Sequence, residues 1–148
     1  MKKLLYIDLD GVLADFVTEM KEHSLRDQPP FDKYPDTIPG IFRNLNPIRD
    51  AVSSVNKLLS SEQYEVYFLS TPPWANTSAW TDKRIWLEEK FGDKISRKLI
   101  LTHRKDLVKG DILIDDRPNN GAKDFEGKWI HFGSEDFPDW SSVLKYLV

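Results

Sequence analysis

Short, continuous apolar runs alternate along the chain with longer stretches in which apolar residues recur every three or four positions. Leu4, Leu5, Tyr6 and Ile7 form the first run, and their lack of alternation predicts a strand covered on both faces. Gly11 interrupts the pattern, after which Leu13, Phe16, Val17 and Met20 fall on one side of a helix predicted over residues 12–26. Behind Pro47, which suits a first helical turn, Ile48, Ala51, Val52, Val55, Leu58 and Leu59 recur at helical spacing. A second strand is predicted over 65–69 and a helix over 78–91, stopped by Gly92. Strands over 98–101, 111–114 and 128–132 and a last helix over 140–147 complete the series. Strands alternating with helices predict a doubly wound α/β domain spanning 1–148, its parallel sheet covered on both faces.

Residues 27–47 break the alternation. Pro29, Pro30, Pro35, Pro39 and Pro47, with Gly40 among them, exclude a long regular element. Phe31, Tyr34, Ile38, Ile41 and Phe42 are too apolar for a free linker, so a compact insertion is expected.

Composition narrows the function classes. At 148 residues, 40% apolar and 30% charged, the chain has the make-up of a globular protein of one ordinary domain. Its net charge of −3 and its scattered basic residues argue against a nucleic-acid polymer as partner. A small phosphorylated molecule needs only one local cationic site. The absence of cysteine excludes disulfides, thiolate metal ligands and a cysteine nucleophile. The apolar run after Met1-Lys2-Lys3 stops at Asp8, too soon for a signal peptide, and no stretch is long enough to span a bilayer. A cytoplasmic enzyme without a membrane partner is the expectation.

The candidate chemistry gathers at strand ends. Asp8 and Asp10 follow the first predicted strand, Ser70 and Thr71 the second, Arg104 and Lys105 the third, and Asp115 and Asp116 the fourth. In an open parallel sheet these ends share one edge, and ligands bind in the crevice where strand order reverses. Carboxylates gathered there raise one another's pKa. A hard divalent cation lets them stay ionised, and Mg²⁺ takes oxygen ligands. A lysine, a hydroxyl and a glycine that admits close backbone approach complete a site for a phosphoryl group. With no cysteine and no serine–histidine pair in register, a carboxylate is the natural nucleophile.

Taken singly, each feature has a plainer reading. Residues 8–11 resemble an acidic turn, although the strand before them does not suit a calcium loop. Asp115-Asp116 alone is equally a solvated strand end, Arg104 competes with Lys105, and either hydroxyl of Ser70-Thr71 is a phosphate contact or a turn cap. Phe16 on a helical face is more often core than a base platform, and Asp15 orients the first loop or starts a helical turn. Trp74, Trp80 and Trp86 are expected to pack the helix onto the sheet. His23, His103 and His131 share no metal-ligand spacing and read as structural or solvent-facing.

Asp8-Leu9-Asp10-Gly11-Val12-Leu13 at the end of an apolar strand resembles the first motif of the haloacid dehalogenase superfamily. Ser70, Lys105 and Asp115-Asp116 match its later motifs in order, within one Rossmann-like domain. The resemblance implies a phosphatase in which Asp8 is the nucleophile and Asp10 the general acid–base. Lys105 and Ser70 would hold the phosphoryl oxygens. Mg²⁺ would bind Asp8, the Asp10 main-chain carbonyl and the acid pair, with Asp116 direct and Asp115 acting through water or orienting the site. An acid at position 10 argues within the superfamily against a dehalogenase or a transport ATPase.

More narrowly, Asp8 to Phe16, Leu101-Thr102 ahead of Lys105, Leu113 to Pro118 and Pro39 to Leu45 are similar to the 5′(3′)-deoxyribonucleotidase (cytosolic type C 5′-nucleotidase) family. That resemblance implies a deoxynucleotide substrate, with Phe16 against the nucleobase and Ser70-Thr71 as the second-motif pair. The insertion between Asp15 and Pro47 is shorter than in the animal enzymes of that family, and a small cap at 27–47 is expected. The alternatives are a phosphatase of another small metabolite, such as a sugar phosphate, and a catalytically silent protein that binds a phosphorylated ligand.

Overall fold

A computed structural model describes residues 1–148. Strands β1 (Lys3–Ile7), β2 (Tyr64–Ser70), β3 (Leu99–Leu101), β4 (Ile112–Asp115) and β5 (Lys128–His131) form one parallel sheet in the order β3-β2-β1-β4-β5. Ile7 pairs with Phe68 on one side and Ile114 on the other. The chain runs outward from β1 to β3, then crosses back over the sheet to β4 and β5. Order therefore reverses between β1 and β4, where a crevice opens beyond the strand ends.

Right-handed crossovers put connections of opposite direction on opposite faces. Helices α2 (Ala51–Leu59), α3 (Thr77–Phe91) and α4 (Trp140–Leu147) share a core with Leu5, Ile7, Val66, Phe68, Ile112 and Ile114. The alternate side chains Tyr6, Leu69 and Leu113 meet Ala122 and Phe125 on the other face. That second layer is thin, built from the single 3-10 turns Lys105–Leu107 and Ala122–Asp124. No helix is long and apolar enough to cross a membrane.

The element after β1 departs from the helix expected over 12–26. Helix α1 spans only Phe16–Glu22, capped by the Asp15 carboxylate, which accepts from the Thr18 N–H at 3.1 Å. Val12, Leu13 and Ala14 are all buried, and three successive inward side chains do not fit one helical face. The chain instead winds tightly, with the Leu9 carbonyl accepting from the N–H groups of Val12, Leu13 and Ala14. Helix α2 likewise begins at Ala51 rather than just after Pro47, because Asp50 is left-handed at φ 63°.

Residues 27–47 carry one short 3-10 turn, Pro35–Thr37, and otherwise run in turns. Burial of Ile38, Ile41, Phe42 and Leu45 fixes them to the domain. Helix α3 adds polar ties: Trp86 Nε1 donates to the Leu45 carbonyl at 2.8 Å, and Asn76 Nδ2 to those of Asp36 and Ile38 at 2.9 and 3.1 Å.

Trp140 Nε1 donates to the Val12 carbonyl at 2.8 Å, tying the last helix to the loop after β1. Trp140→Phe leaves that buried carbonyl unpaired, at a cost of about 1–3 kcal/mol. Chemical denaturation is expected to show a lower midpoint; an unchanged midpoint would mean the bond contributes nothing.

Candidate active site

Asp8 extends β1 by one residue, held in register by its N–H, which donates to the Ile114 carbonyl at 2.9 Å. Gly11 then turns the chain at φ +81°, and a Cβ there would lie 2.0 Å from Asp116 Oδ2. Only glycine lets the first loop and the acid pair approach so closely. The carboxylate oxygens of Asp8, Asp115 and Asp116 come within 4.8 Å of one another.

Lys105 enters this group from its 3-10 turn, anchored where its N–H donates to the Asn120 carbonyl at 2.7 Å. It is 3% exposed, and its Nζ lies 3.2 Å from Asp8 Oδ1 and 2.5 Å from Asp115 Oδ2. Arg104, its competitor in the sequence, instead forks onto Asp106 at 2.9 and 2.7 Å. The other Asp115 oxygen accepts the Arg117 N–H at 3.1 Å, so both its oxygens are engaged.

The Lys105 ammonium pairs with Asp8 and Asp115, while Asp116 lies against Asp8 with Arg117 as its opposing charge. Burial pushes the Asp8 carboxyl up to about 7; Asp115 and Asp10 add to the rise, and Lys105 and Lys83 oppose it. Burial and then Asp8 raise Asp116 to about 6. Asp115 is also raised, by burial, against the pull of Lys105. Burial tends to lower Lys105, but Asp8 and Asp115 outweigh it and the ammonium is held above its ordinary value. An all-oxygen donor set short of positive charge suits a hard divalent cation.

The crevice beside the cluster has a volume of about 590 Å³ and is lined by Asp8, Asp10, Phe16, Thr71 and Lys105 among others. Thr71 donates its hydroxyl to the Thr102 carbonyl at 2.7 Å, whereas the buried Ser70 hydroxyl has no partner. Phe16 is the first residue of α1 and stacks on Phe42, with centroids 5.0 Å apart and 9° between planes. Residues 27–47 contribute Lys33, Tyr34, Pro35, Asp36 and Phe42 to the wall.

Trp74 and Lys83 fall outside the expectations from sequence. Trp74 is 78% exposed and lines the crevice, so of the tryptophans expected to pack α3 only Trp86 is buried. His103 also lines the crevice, with a buried Nε2 that has no partner. Lys83 forms an ion pair with the Asp10 carboxylate, which therefore stands apart from the other three acids. A signal existed for Lys83: with Ala79, Trp86 and Leu87 it occupies the buried stripe of α3, where a lysine is out of place.

Residues 30–137 match the family described as 5′ nucleotidase, deoxy (Pyrimidine), cytosolic type C protein. A Vibrio phage KVP40 protein named "Putative 5′(3′)-deoxyribonucleotidase" is 42% identical over 147 residues, covering 99% of this chain and 85% of that protein. The chain belongs to the cytosolic type C 5′-nucleotidase family. The human 5′(3′)-deoxyribonucleotidases are more distant: the mitochondrial one is 27% identical and the cytosolic type 26%, each over 93% of this chain and over 68% and 77% of their own lengths. Membership makes this nucleotidase a hydrolase of phosphate monoesters. The matched span begins after the Asp8–Gly11 loop, whereas the phage relative aligns across it.

Asp8 and Asp116 titrate higher in the folded, metal-free nucleotidase, at about 7 and about 6, than in the unfolded chain. Unfolded carboxyls titrate near about 4, so the folded state binds more protons between about pH 4 and pH 7, and stability falls as pH rises through that window. A divalent cation held by this cluster would compete with those protons for the same oxygens. Thermal unfolding with and without Mg²⁺ is therefore expected to show a small stabilisation at about pH 5 and a several-fold larger one at about pH 8. A stabilisation that does not change with pH would mean the cation binds elsewhere.

Proposed function

We propose that this nucleotidase hydrolyses deoxynucleoside monophosphates through a phosphoryl-enzyme formed on Asp8, with Mg²⁺ as cofactor. The observation that carries the reading is the buried Lys105 set between Asp8 and Asp115, with Asp116 completing the acidic group. The donor set supports Mg²⁺ on the Asp8 and Asp116 carboxylates and the Asp10 main-chain carbonyl. Asp115, with both oxygens engaged, orients the site or acts through water. Bound there, Mg²⁺ supplies positive charge against the phosphoryl oxygens.

An Asp8 carboxylate oxygen attacks phosphorus as the bond to the ester oxygen breaks, and Asp10 gives its proton to the departing alcohol. In the second half Asp10 takes a proton from water. That water attacks phosphorus, the acyl–phosphate bond breaks, and inorganic phosphate and free Asp8 are released. Lys105 offsets the charge that builds on the phosphoryl oxygens. The unpartnered Ser70 hydroxyl is a ready donor to the phosphoryl group, with Thr71 beside it at the crevice wall.

Phe16, braced by Phe42 and flanked in the crevice by Met20, Tyr34 and Trp74, supports stacking of a nucleobase. Residues 27–47 act as a small cap over that side, all of it within residues 1–148 as one domain. The cytosolic type relative supports a cytoplasmic setting.

Asp8→Asn is expected to abolish turnover with an unchanged fold, and chelation by EDTA to stop the parent enzyme. Near-parental rates in either experiment would remove the mechanism. In a substrate panel, dUMP and dTMP are expected to exceed glucose 6-phosphate in kcat/KM. A stacked base contributes roughly 1–3 kcal/mol, so Phe16→Ala should cost about fivefold to 150-fold in kcat/KM on nucleotides and little on a small aryl phosphate. A sugar phosphate outperforming every nucleotide would overturn the substrate while leaving the aspartate chemistry intact.

A further inference from the structure

Lys83 is a charged side chain without an evident task. It is 1% exposed, sits mid-way along α3 on the stripe formed by Ala79, Trp86 and Leu87, and does not line the crevice. Its ammonium is paired with Asp10 Oδ2. The same Nζ lies 4.5 Å from the centroid of the Phe42 ring, on which Phe16 stacks at 5.0 Å. One buried cation therefore touches both the residue read as the leaving-group acid and the aromatic that braces the proposed base platform.

We infer that Lys83 is a positioning residue: it fixes the Asp10 carboxylate at the leaving-group side of the crevice and ties it, through Phe42, to Phe16. The inference rests on the reading of Asp10 as general acid. Asp10 comes from a loop and keeps 26% of its side chain exposed, so it is free to turn toward solvent unless something grips it. Lys83 grips Oδ2, which leaves Oδ1 to exchange a proton with the departing oxygen. An apolar side chain of similar length would fill the same space on the α3 stripe, and a buried ion pair is poor evidence for stability. What only the ammonium supplies is the hold on Asp10. The planar contact with Phe42 adds direction, because a cation held over a ring face resists sideways displacement. A platform displaced by substrate would thus move the lysine that sets the acid.

Leaving-group dependence distinguishes this role from a merely structural one. A deoxynucleoside 5′-monophosphate expels an alkoxide that needs a proton, whereas nitrophenyl phosphate expels a stable phenolate. Lys83→Met keeps length and volume and removes the charge. Its kcat on the nucleotide is expected to fall about tenfold to a hundredfold, the loss typical of a misplaced catalytic group. Its kcat on nitrophenyl phosphate should change by less than about threefold, with KM for both nearly constant. In an Asp10→Asn background, Lys83→Met should cost nothing further on the nucleotide. Equal losses on the two substrates, or full additivity with Asp10→Asn, would overturn the inference and make Lys83 a structural residue. If Asp10→Asn itself slows both substrates equally, Asp10 is not the acid, and the reading beneath the inference fails first. Should Lys83→Met not fold, Lys83→Gln, which keeps a neutral donor to Asp10, should show the same selective loss on the nucleotide at smaller size, and equal losses on the two substrates would again overturn the inference.

Discussion

Lys105 lies between Asp8 and Asp115 with almost no contact with water, and Asp116 presses against the same group from across Gly11. Two buried acids around one ammonium, with the half-buried Asp116 against Asp8, are not a neutral arrangement, and burial already drives Asp8 and Asp116 toward holding protons. The neighbouring structure serves to keep this unfavourable group assembled. β1 and β4 bring Asp8 and the acid pair to adjacent strand ends through the pairing of Ile7 with Ile114. Gly11 allows the approach that any Cβ would block, and the Asn120 carbonyl fixes the turn from which Lys105 reaches in. Such a group would be relieved by a cation, as the proposed Mg²⁺ cofactor requires.

A second layer of constraint runs through α3. That helix holds residues 27–47 by Trp86 and Asn76, and it sends Lys83 inward to Asp10 and Phe42. Residues 27–47 are thus packed against the same helix that pairs with the first loop, so the proposed substrate side and the proposed chemical side share one support. Trp140 adds a tie from the far end of the chain through the Val12 carbonyl. Short irregular segments are held here by single buried donors rather than by regular structure.

β1, β3 and β4 were legible as continuous apolar runs, β2 and β5 less so because Glu65, Lys128 and His131 interrupt them, and the meeting of the acids at the strand ends followed from parallel topology. Local winding was less so. Leu13 mimics helical spacing when read with Phe16, Val17 and Met20, yet with Val12 and Ala14 it makes three successive buried side chains in a loop. Arg104 and Lys105 are indistinguishable by composition, and only the turn beginning at Lys105 sends one inward and the other to Asp106. Trp74 was expected in the core because tryptophans usually are, but it precedes α3 and so escapes that helix's buried stripe. Lys83 was overlooked for the opposite reason: mid-helix lysines are ordinarily solvated, and its exception shows only when Ala79, Trp86 and Leu87 are set on the same face.

The central claim is that the Asp8 carboxylate becomes covalently phosphorylated. Rapid mixing of enzyme, Mg²⁺ and a deoxynucleoside monophosphate, followed by acid quench and reduction with borohydride, converts an aspartyl-phosphate to homoserine. Peptide mass spectrometry is predicted to find homoserine at position 8 and at no other aspartate. Homoserine at Asp10, Asp115 or Asp116 would contradict the assignment of the nucleophile, and its absence during steady turnover would contradict a phosphoryl-enzyme altogether.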